Sequence, residues 1–524
     1  MGKIYSILIW VLIIFSACTL PKKQIQQKPN LLVIFTDEQR RQAMEFWRQP
    51  EYAGAINGTS DPVVTPHLNK LASEGVVFTQ AMSTHPVCSP HRGMLLTGAF
   101  PLKNGIWKNC HENSPTDLNE ELQCFTDVLY DSGYNTAYFG KCHWIKPDPV
   151  FDENANYVGT SSAPGGYLPN KYDIYIPPGR DRHSNEYWYQ VLKDNHFSNY
   201  VYSNDPETVG GKADGEMYHA HEFSSKHEAR TIIDYLKNNR GQRNPNKPFC
   251  ITWALNPPHP PYNKVDDCEP ESFQRYKNMS HDELFNRPNS SDKASDLNAK
   301  VYYANVTSTD KYIGQVLNVL DSLGLDDNTL VVFTSDHGEM LGSHHRMQKN
   351  CEYEEAYGVP LIIRYKGALK HKIDNLLIGT TDLYPTFLGL MGLSHLIPET
   401  VDGTNYAKLL KGDVDTGVQR PRSTPFISIE GNRKGLRTDR YTFSVAGNGK
   451  VSVFDNLNDP YQQTNLNFSS LSADDRQMLS SELGYWLKVS GDPWAAEKKY
   501  SEVIDYSVST DAKTKYKEAI HAAS

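Results

Sequence analysis

The sequence predicts an α/β fold: a large sheet sandwiched by helices, with a smaller antiparallel sheet-plus-helix unit at its C-terminal end. Three observations predict it. Nearly continuous apolar runs such as Asn30-Leu-Leu-Val-Ile-Phe35 read as strands buried on both faces. These runs alternate with segments of helical periodicity, the pattern of a doubly wound sheet. After about residue 420 the pattern shifts to short alternating runs, which suit a small antiparallel sheet.

The elements follow in chain order. Lys3, an apolar run from Ile4 to Phe15 and the small residues Ser16-Ala17 before Cys18 form an export signal. The run is too short to span a bilayer as a mature helix. Small residues ending at a cysteine resemble a bacterial lipobox, so residues 1–18 are expected to be signal and lipobox. Cys18 would be lipidated, giving a periplasmic or outer-membrane-anchored lipoprotein that meets the membrane only through its lipid. An ordinary signal peptide containing a cysteine is the simpler alternative. Residues 19–29 are polar and rich in Lys and Gln, as in a tether. Strands are expected at Asn30–Phe35, Asn135–Gly140, Phe249–Leu255, Thr329–Thr334 and Pro360–Tyr365. Helices are expected at His67–Glu74, Phe125–Ser132, His227–Leu236 and Lys300–Leu323. The segments Ile145–Ser225 and Pro257–Asp296 lack periodicity and read as loops that shape a pocket. Strands at Tyr441–Val445 and Lys450–Phe454 and a helix near Ser470–Val489 complete the chain. The expected units are a catalytic α/β domain over 30–415 and a subdomain over 416–524.

The 524 residues exceed what one compact core usually holds. A hydrophobic fraction of 39% and an aromatic fraction of 11% exclude a disordered or fibrous chain. The net charge of −9 is spread without a basic block, which argues against a nucleic-acid partner. The eight cysteines match neither a zinc pattern nor a compact disulfide framework, and Cys110 with Cys124 is a local candidate pair.

The chemistry gathers around Cys88-Ser-Pro-His-Arg92-Gly-Met-Leu-Leu-Thr97-Gly98. This segment resembles the signature of the formylglycine-dependent sulfatases, members of the alkaline phosphatase-like superfamily, in which Cys-x-Pro-Ser-Arg followed by Thr-Gly directs oxidation of the cysteine. His91 stands where Ser is usual. The resemblance implies a large mixed sheet, conversion of Cys88 to 3-oxoalanine by a formylglycine-generating enzyme, and hydrolysis of sulfate esters. A hydrated aldehyde has two hydroxyls on one carbon: one attacks sulfur, and deprotonation of the other releases sulfate. A hard cation, calcium or magnesium, would gather the reacting oxygens.

The remaining motifs are similar to those of the same family. Thr36-Asp37-Glu38-Gln39 and Ser335-Asp336-His337-Gly338-Glu339 each end a predicted strand. The resemblance makes Asp37, Glu38, Asp336 and His337 metal ligands together with the oxidised Cys88. Gly140-Lys141-Cys142-His143 resembles the family's Gly-Lys-Trp-His: Lys141 would bind diol or sulfate, and His143 would deprotonate the diol. Lys349, before Tyr353-Glu-Glu355, would contact sulfate. Arg92 would orient the diol through its guanidinium fork. His259, in Asn256-Pro-Pro-His259-Pro-Pro-Tyr262, would protonate the leaving oxygen and touch substrate. Asp382-Leu-Tyr-Pro-Thr-Phe, Gly435–Tyr441 and Phe454–Tyr461 resemble later family landmarks of the scaffold, and Arg437 could also reach the pocket.

The implied partner is a sulfated saccharide. The expected action is exo removal of O-sulfate from a galactose- or N-acetylhexosamine-type sugar, with determinants in Trp107–His111, Tyr157–Tyr202 and Asn256–Glu271. A phosphonate monoester or phosphodiester hydrolase of the same superfamily is the alternative. So is a non-catalytic glycan-binding protein, should Cys88 stay unmodified.

Overall fold

The structure, a computed structural model, describes residues 28–510 apart from 57, 112–113, 162–166, 169–172, 193–195, 414–416 and 429. The signal, Cys18 and most of the tether lie outside the described residues, as does the expected domain boundary at 415/416. No helix among the described residues is long and apolar enough to cross a membrane.

A ten-stranded mixed sheet forms the frame. Its strands are β1 Asn30–Asp37, β2 Val76–Phe78, β3 Asn135–Gly140, β4 Tyr187–Val191, β5 Asn199–Ser203, β6 Tyr218–Ala220, β7 Phe249–Pro258, β8 Thr329–Ser335, β9 Leu361–Arg364 and β10 Lys372–Asp374. Their spatial order is β6-β5-β4-β3-β7-β1-β8-β9-β2-β10. The inner five, β4-β3-β7-β1-β8, run parallel. Antiparallel pairings begin at β8–β9 on one side and β4–β5 on the other.

Alternate residues of β1 serve opposite faces, as the two-residue period of a strand requires. Leu31, Val33 and Phe35 join one core with Leu95 and Leu96 of α2 (Cys88–Thr97), Val128 of α3 (Phe125–Asp131) and Phe387 of α6 (Thr380–Leu390). Leu32 and Ile34 join the other, with Leu71 of α1 (Pro66–Glu74), Ile232 of α4 (Ser224–Lys237) and Val316 of α5 (Asp296–Ser322). A strand buried on both sides explains the unbroken apolar run.

The segment expected to be loop is more regular than its sequence suggests. β4, β5 and β6 lie within it and extend the main sheet, and Pro149–Phe151, Tyr157–Ser161 and Tyr167–Leu168 form a small sheet of their own. Trp188 on β4 stacks on Tyr138 of β3 at 5.4 Å, so its aromatic richness is core packing. Three short helical pieces occupy the other expected loop, and one of them sets Tyr276 against Tyr303 of α5. The seven described cysteines are all free and buried, so Cys110 and Cys124 are not joined.

The C-terminal unit is a four-stranded antiparallel sheet, β11 Ser423–Ser428, β12 Arg433–Thr438, β13 Tyr441–Val445 and β14 Val451–Asp455, covered by α7 (Ala473–Val489). Leu436, Phe443 and Val453 pack against Leu479, Leu483 and Leu487 of that helix. The unit docks through buried polar contacts. Glu354 pairs with Arg41 at 2.9 Å and with Arg437 at 3.4 Å, and its N–H donates to Gln462 Oε1 at 2.7 Å. Arg437 therefore ties the two units together, and its family landmark has a structural cause.

Gly140 ends β3 at φ 109°, and a Cβ there would run into the Ala254 carbonyl on β7. This glycine lets β3 turn and deliver Lys141. Gly140→Ala is expected to destabilise the fold by more than about 2 kcal/mol, combining backbone strain with a clash. Chemical denaturation with an activity assay on the refolded protein measures both consequences.

Candidate active site

The carboxyl ends of β1, β3, β7 and β8 and the first turn of α2 converge on one buried pocket, the place where open α/β sheets carry their chemistry. Cys88 opens α2 and is fully buried. Its Sγ lies 3.4 Å from His337 Nε2 and 3.7 Å from Asp37 Oδ1. The motif residues around it have local reasons. Thr97 Oγ1 donates to the Gly93 carbonyl at 2.7 Å, and Gly98 closes the helix at φ 64°. His91 points away from the nucleophile, its Nδ1 2.9 Å from Ser83 Oγ and 3.2 Å from Thr380 Oγ1. It therefore supports the loop before the helix rather than the reaction.

Asp37 and Asp336 end neighbouring strands and are fully buried. Arg92 Nη2 donates to Asp37 Oδ2 at 3.0 Å and to Asp336 Oδ2 at 3.2 Å, while Nη1 donates to the Lys141 carbonyl at 2.6 Å. The guanidinium is thus occupied in holding acids and backbone. Lys141 pairs with Asp37 Oδ2. Burial pushes Asp37 up, as does Cys88, but Lys141, His259 and Arg92 hold its carboxyl well below the usual range. Asp336 is pushed up to about 6 by burial and by Asp37.

Glu38 sits at φ 70°, in the left-handed region. Three contacts hold it there: its N–H donates to Asp336 Oδ1 at 3.1 Å, its carbonyl accepts from Tyr302 Oη at 2.8 Å, and the next N–H donates to Ser335 Oγ at 2.9 Å. The turn sends the Glu38 side chain towards Lys349, which donates to Oε2 at 2.7 Å, and towards His259, whose Nε2 lies 3.5 Å from the same oxygen. His259 Nδ1 donates to the Pro260 carbonyl at 2.8 Å, leaving Nε2 as the nitrogen that faces the pocket. His143 Nε2 likewise donates to the Cys110 carbonyl at 3.0 Å.

The pocket is electropositive at the sulfur. Burial pushes the Cys88 thiol up, but Lys141, Lys349 and His337, with a hydrogen bond from His143, hold it well below the ordinary thiol range. The same field favours any anion formed there.

The donor set fits a hard divalent cation. Ligand atoms of Asp37, Cys88, Asp336 and His337 lie within 4.8 Å of one another, and those of Asp37, Glu38 and His259 form an overlapping group. Glu38 Oε1 is buried without a hydrogen-bond partner, and burial drives this carboxyl well above its usual range. His337 Nδ1 donates to the Gly338 carbonyl at 3.0 Å, which orients the ring with Nε2 towards the acids, 3.4 Å from Asp336 Oδ1. A cation held by these groups would supply positive charge to the buried carboxylates.

All ten residues expected from the sequence meet here: Asp37, Glu38, Cys88, Arg92, Lys141, His143, His259, Asp336, His337 and Lys349. Sequence reasoning missed Glu339. Its Oε1 accepts from the N–H groups of Leu341 at 2.7 Å and Gln348 at 2.6 Å, and its Oε2 from Tyr262 Oη at 3.0 Å. It clasps both ends of the loop that presents Lys349 and ties it to the loop that presents His259. That loop carries Leu341, His344, His345, Gln348 and Asn350 at positive φ, a strained path that the clasp sustains. The signal was present in Ser335–Glu339, whose last residue had no stated role.

A family model described as Sulfatase matches residues 29–393. An endo-4-O-sulfatase of Bacteroides thetaiotaomicron is 36% identical over 93% of this chain and 98% of its own. An ulvan-active sulfatase of Formosa agariphila is 33% identical over 93% of this chain and 86% of its own. A solved Bacteroides thetaiotaomicron structure, described in terms of the metabolism of multiple glycosaminoglycans, aligns with a TM-score of 0.83. It is 35% identical and covers 92% of this chain and 100% of that one.

Glu339→Ala is expected to lower kcat about 10- to 100-fold, the usual scale for losing a group that orients others. Glu339→Gln keeps an acceptor for the two amides and should lose less. Steady-state kinetics beside thermal melts check this, and equal losses in the two variants would argue that charge, not the clasp, matters.

Proposed function

The chain belongs to the sulfatase family and hydrolyses sulfuric esters, and we propose that it removes O-sulfate from a sugar within a sulfated glycan, using Cys88 oxidised to formylglycine. The observation that carries the reading is the position of Cys88. It lies fully buried at the head of α2, beside an acid cluster and under two lysines.

Oxidation by a formylglycine-generating enzyme supplies a hydrated aldehyde at Cys88, with one hydroxyl for attack on sulfur and a second whose deprotonation releases sulfate. Asp37, Glu38, Asp336 and His337 would hold a calcium or magnesium ion, which would supply Lewis acidity to the reacting oxygens. The chain's own groups do the rest. Lys141 and Lys349 offset charge on the sulfate oxygens, in buried surroundings where such contacts are strong. Arg92 holds Asp37, Asp336 and the Lys141 backbone in register, a positioning role in place of direct contact with the diol. His143 takes the proton from the diol, its ring fixed by the Cys110 carbonyl. His259 delivers a proton from Nε2 to the leaving oxygen, its ring fixed by the Pro260 carbonyl.

The likeness to an ulvan-active sulfatase and to an endo-4-O-sulfatase supports a saccharide substrate. The likeness to an endo-4-O-sulfatase favours action on internal 4-O-sulfates, where the sequence alone suggested exo action; the galactose- or N-acetylhexosamine-type sugar is carried over from the sequence reading. Export to the periplasm or outer membrane, with a lipid at Cys18, remains part of the proposal and rests on the N-terminal pattern. So does the division into a catalytic domain over 30–415 and a subdomain over 416–524.

Intact-peptide mass spectrometry should find the Cys88 peptide lighter than its thiol form, and Cys88→Ala should abolish sulfate release. A persistent thiol in active protein overturns the mechanism. Chelation by EDTA is expected to remove activity and added calcium or magnesium to restore it, read as free sulfate; undiminished activity in EDTA argues against the cation. Faster cleavage of an aryl phosphodiester than of an aryl sulfate would overturn the sulfate assignment.

A further inference from the structure

A cavity of about 360 Å³ lies between the catalytic sheet's helix layer and the C-terminal sheet, walled by His85, Phe100, Leu102, Trp107, Ile427 and Lys434. Its size and its apolar walls with a few polar groups are those of a small-ligand site, and boundaries between packed units are where such sites occur. Trp107 is 42% exposed and Leu102 is 52% exposed, an open apolar surface on one wall. His85 is 1% exposed and neither of its ring nitrogens has a hydrogen-bond partner. The Lys108 ammonium stands 4.9 Å over the Trp107 ring. Lys434 pairs with Asp492 at 2.7 Å on the same wall, so donors and an acceptor sit together.

The cavity adjoins the active site through the chain itself. His85 precedes Cys88 by three residues, so their Cα atoms are within about 11 Å. Trp107 leads directly into Asn109 and Cys110. Asn109 Oδ1 accepts from the Ser89 N–H at 3.0 Å in the first turn of α2, and the Cys110 carbonyl accepts from His143. One short loop thus supports the nucleophile's helix on one side and walls the cavity on the other.

We propose that this cavity is a second saccharide subsite, which holds an anionic sugar ring of the same glycan whose sulfate is removed at Cys88. The proposal rests on the glycan reading above. The indole, exposed on the side that Lys108 does not cover, offers apolar surface to the C–H groups of a pyranose ring. Lys108 offers a cation to a sulfate or carboxylate on that ring. Lys434 and Asp492 offer a donor and an acceptor to its hydroxyls, and His85 a polar group with bonding capacity to spare. Neither a free aryl group nor a neutral lipid would use this combination.

The test uses the full chain, wild type against Trp107→Ala, Trp107→Phe and Lys108→Gln. Substrates are p-nitrophenyl sulfate and 4-O-sulfated glycosaminoglycan oligosaccharides from disaccharide to octasaccharide. Trp107→Ala is expected to lower kcat/KM on the octasaccharide about tenfold, and to leave aryl sulfate turnover within about twofold, which also reports that the variant folds. Trp107→Phe keeps a stacking face and should restore most of the loss. Lys108→Gln should weaken octasaccharide turnover and reduce its salt dependence. Equal losses on every substrate, or none on the octasaccharide, overturn the subsite while leaving the glycan reading intact. Turnover of aryl sulfate by wild type with no saccharide cleaved at any length overturns the glycan reading, and the subsite with it.

Discussion

Asp37, Glu38 and Asp336 are withdrawn from water at the ends of two adjacent strands, in company with Arg92, Lys141, Lys349 and His337. Desolvating one such charge costs several kcal/mol, and only close opposite charge offsets it. The group is stable as a group. Asp37 leans on Arg92 and Lys141, Asp336 on Arg92, and Glu38 on Lys349. Withdrawing any one partner leaves the others uncompensated, at about 3–5 kcal/mol for a buried pair. That dependence binds the site to the fold: the cations that hold Asp37 ionised are packed into the same buried group as Glu38 and Asp336, whose carboxyls burial pushes up.

The scaffold exists largely to hold this balance. Parallel pairing of β3, β7, β1 and β8 brings four strand ends level, so residues far apart in sequence meet without long loops. Where the chain must depart from regular geometry, a specific contact enforces it. Glu38 is held left-handed by Asp336, Ser335 and Tyr302, and the Lys349 loop by Glu339. The C-terminal sheet reinforces the same region through Glu354, which immediately follows Tyr353 in the segment after Lys349.

The parts legible in the sequence are those governed by local pattern. The β1 run declares its burial because both faces are apolar. Asp37 and Asp336 declare themselves because each ends such a run, and Cys88 because its neighbours form a dense motif. What stayed hidden depends on pairing across distance. Tyr187–Val191 is a strand because β3 lies beside it, and its aromatic side chains alone do not distinguish a core strand from a binding loop. Arg437 reads equally well as a pocket cation or an interdomain anchor until Glu354 is found next to it. Glu339 makes three hydrogen bonds to residues of the loops that carry Lys349 and His259, and a periodicity argument cannot see acceptors of that kind.

The complete burial of Cys88 also sets a clock. Its enclosure is assembled from β1, β3, β7, β8 and the Lys349 loop, so most of its walls are synthesised after it. At about 5–20 residues per second, a ribosome needs on the order of tens of seconds to make them. An enzyme that alters this side chain can reach it only during that interval or while the chain is held unfolded. Once β8 pairs with β1 and the Lys349 loop is in place, the side chain is enclosed. Slower translation between Cys88 and Lys349 would lengthen the interval in which this side chain is open to solvent, without changing a single residue.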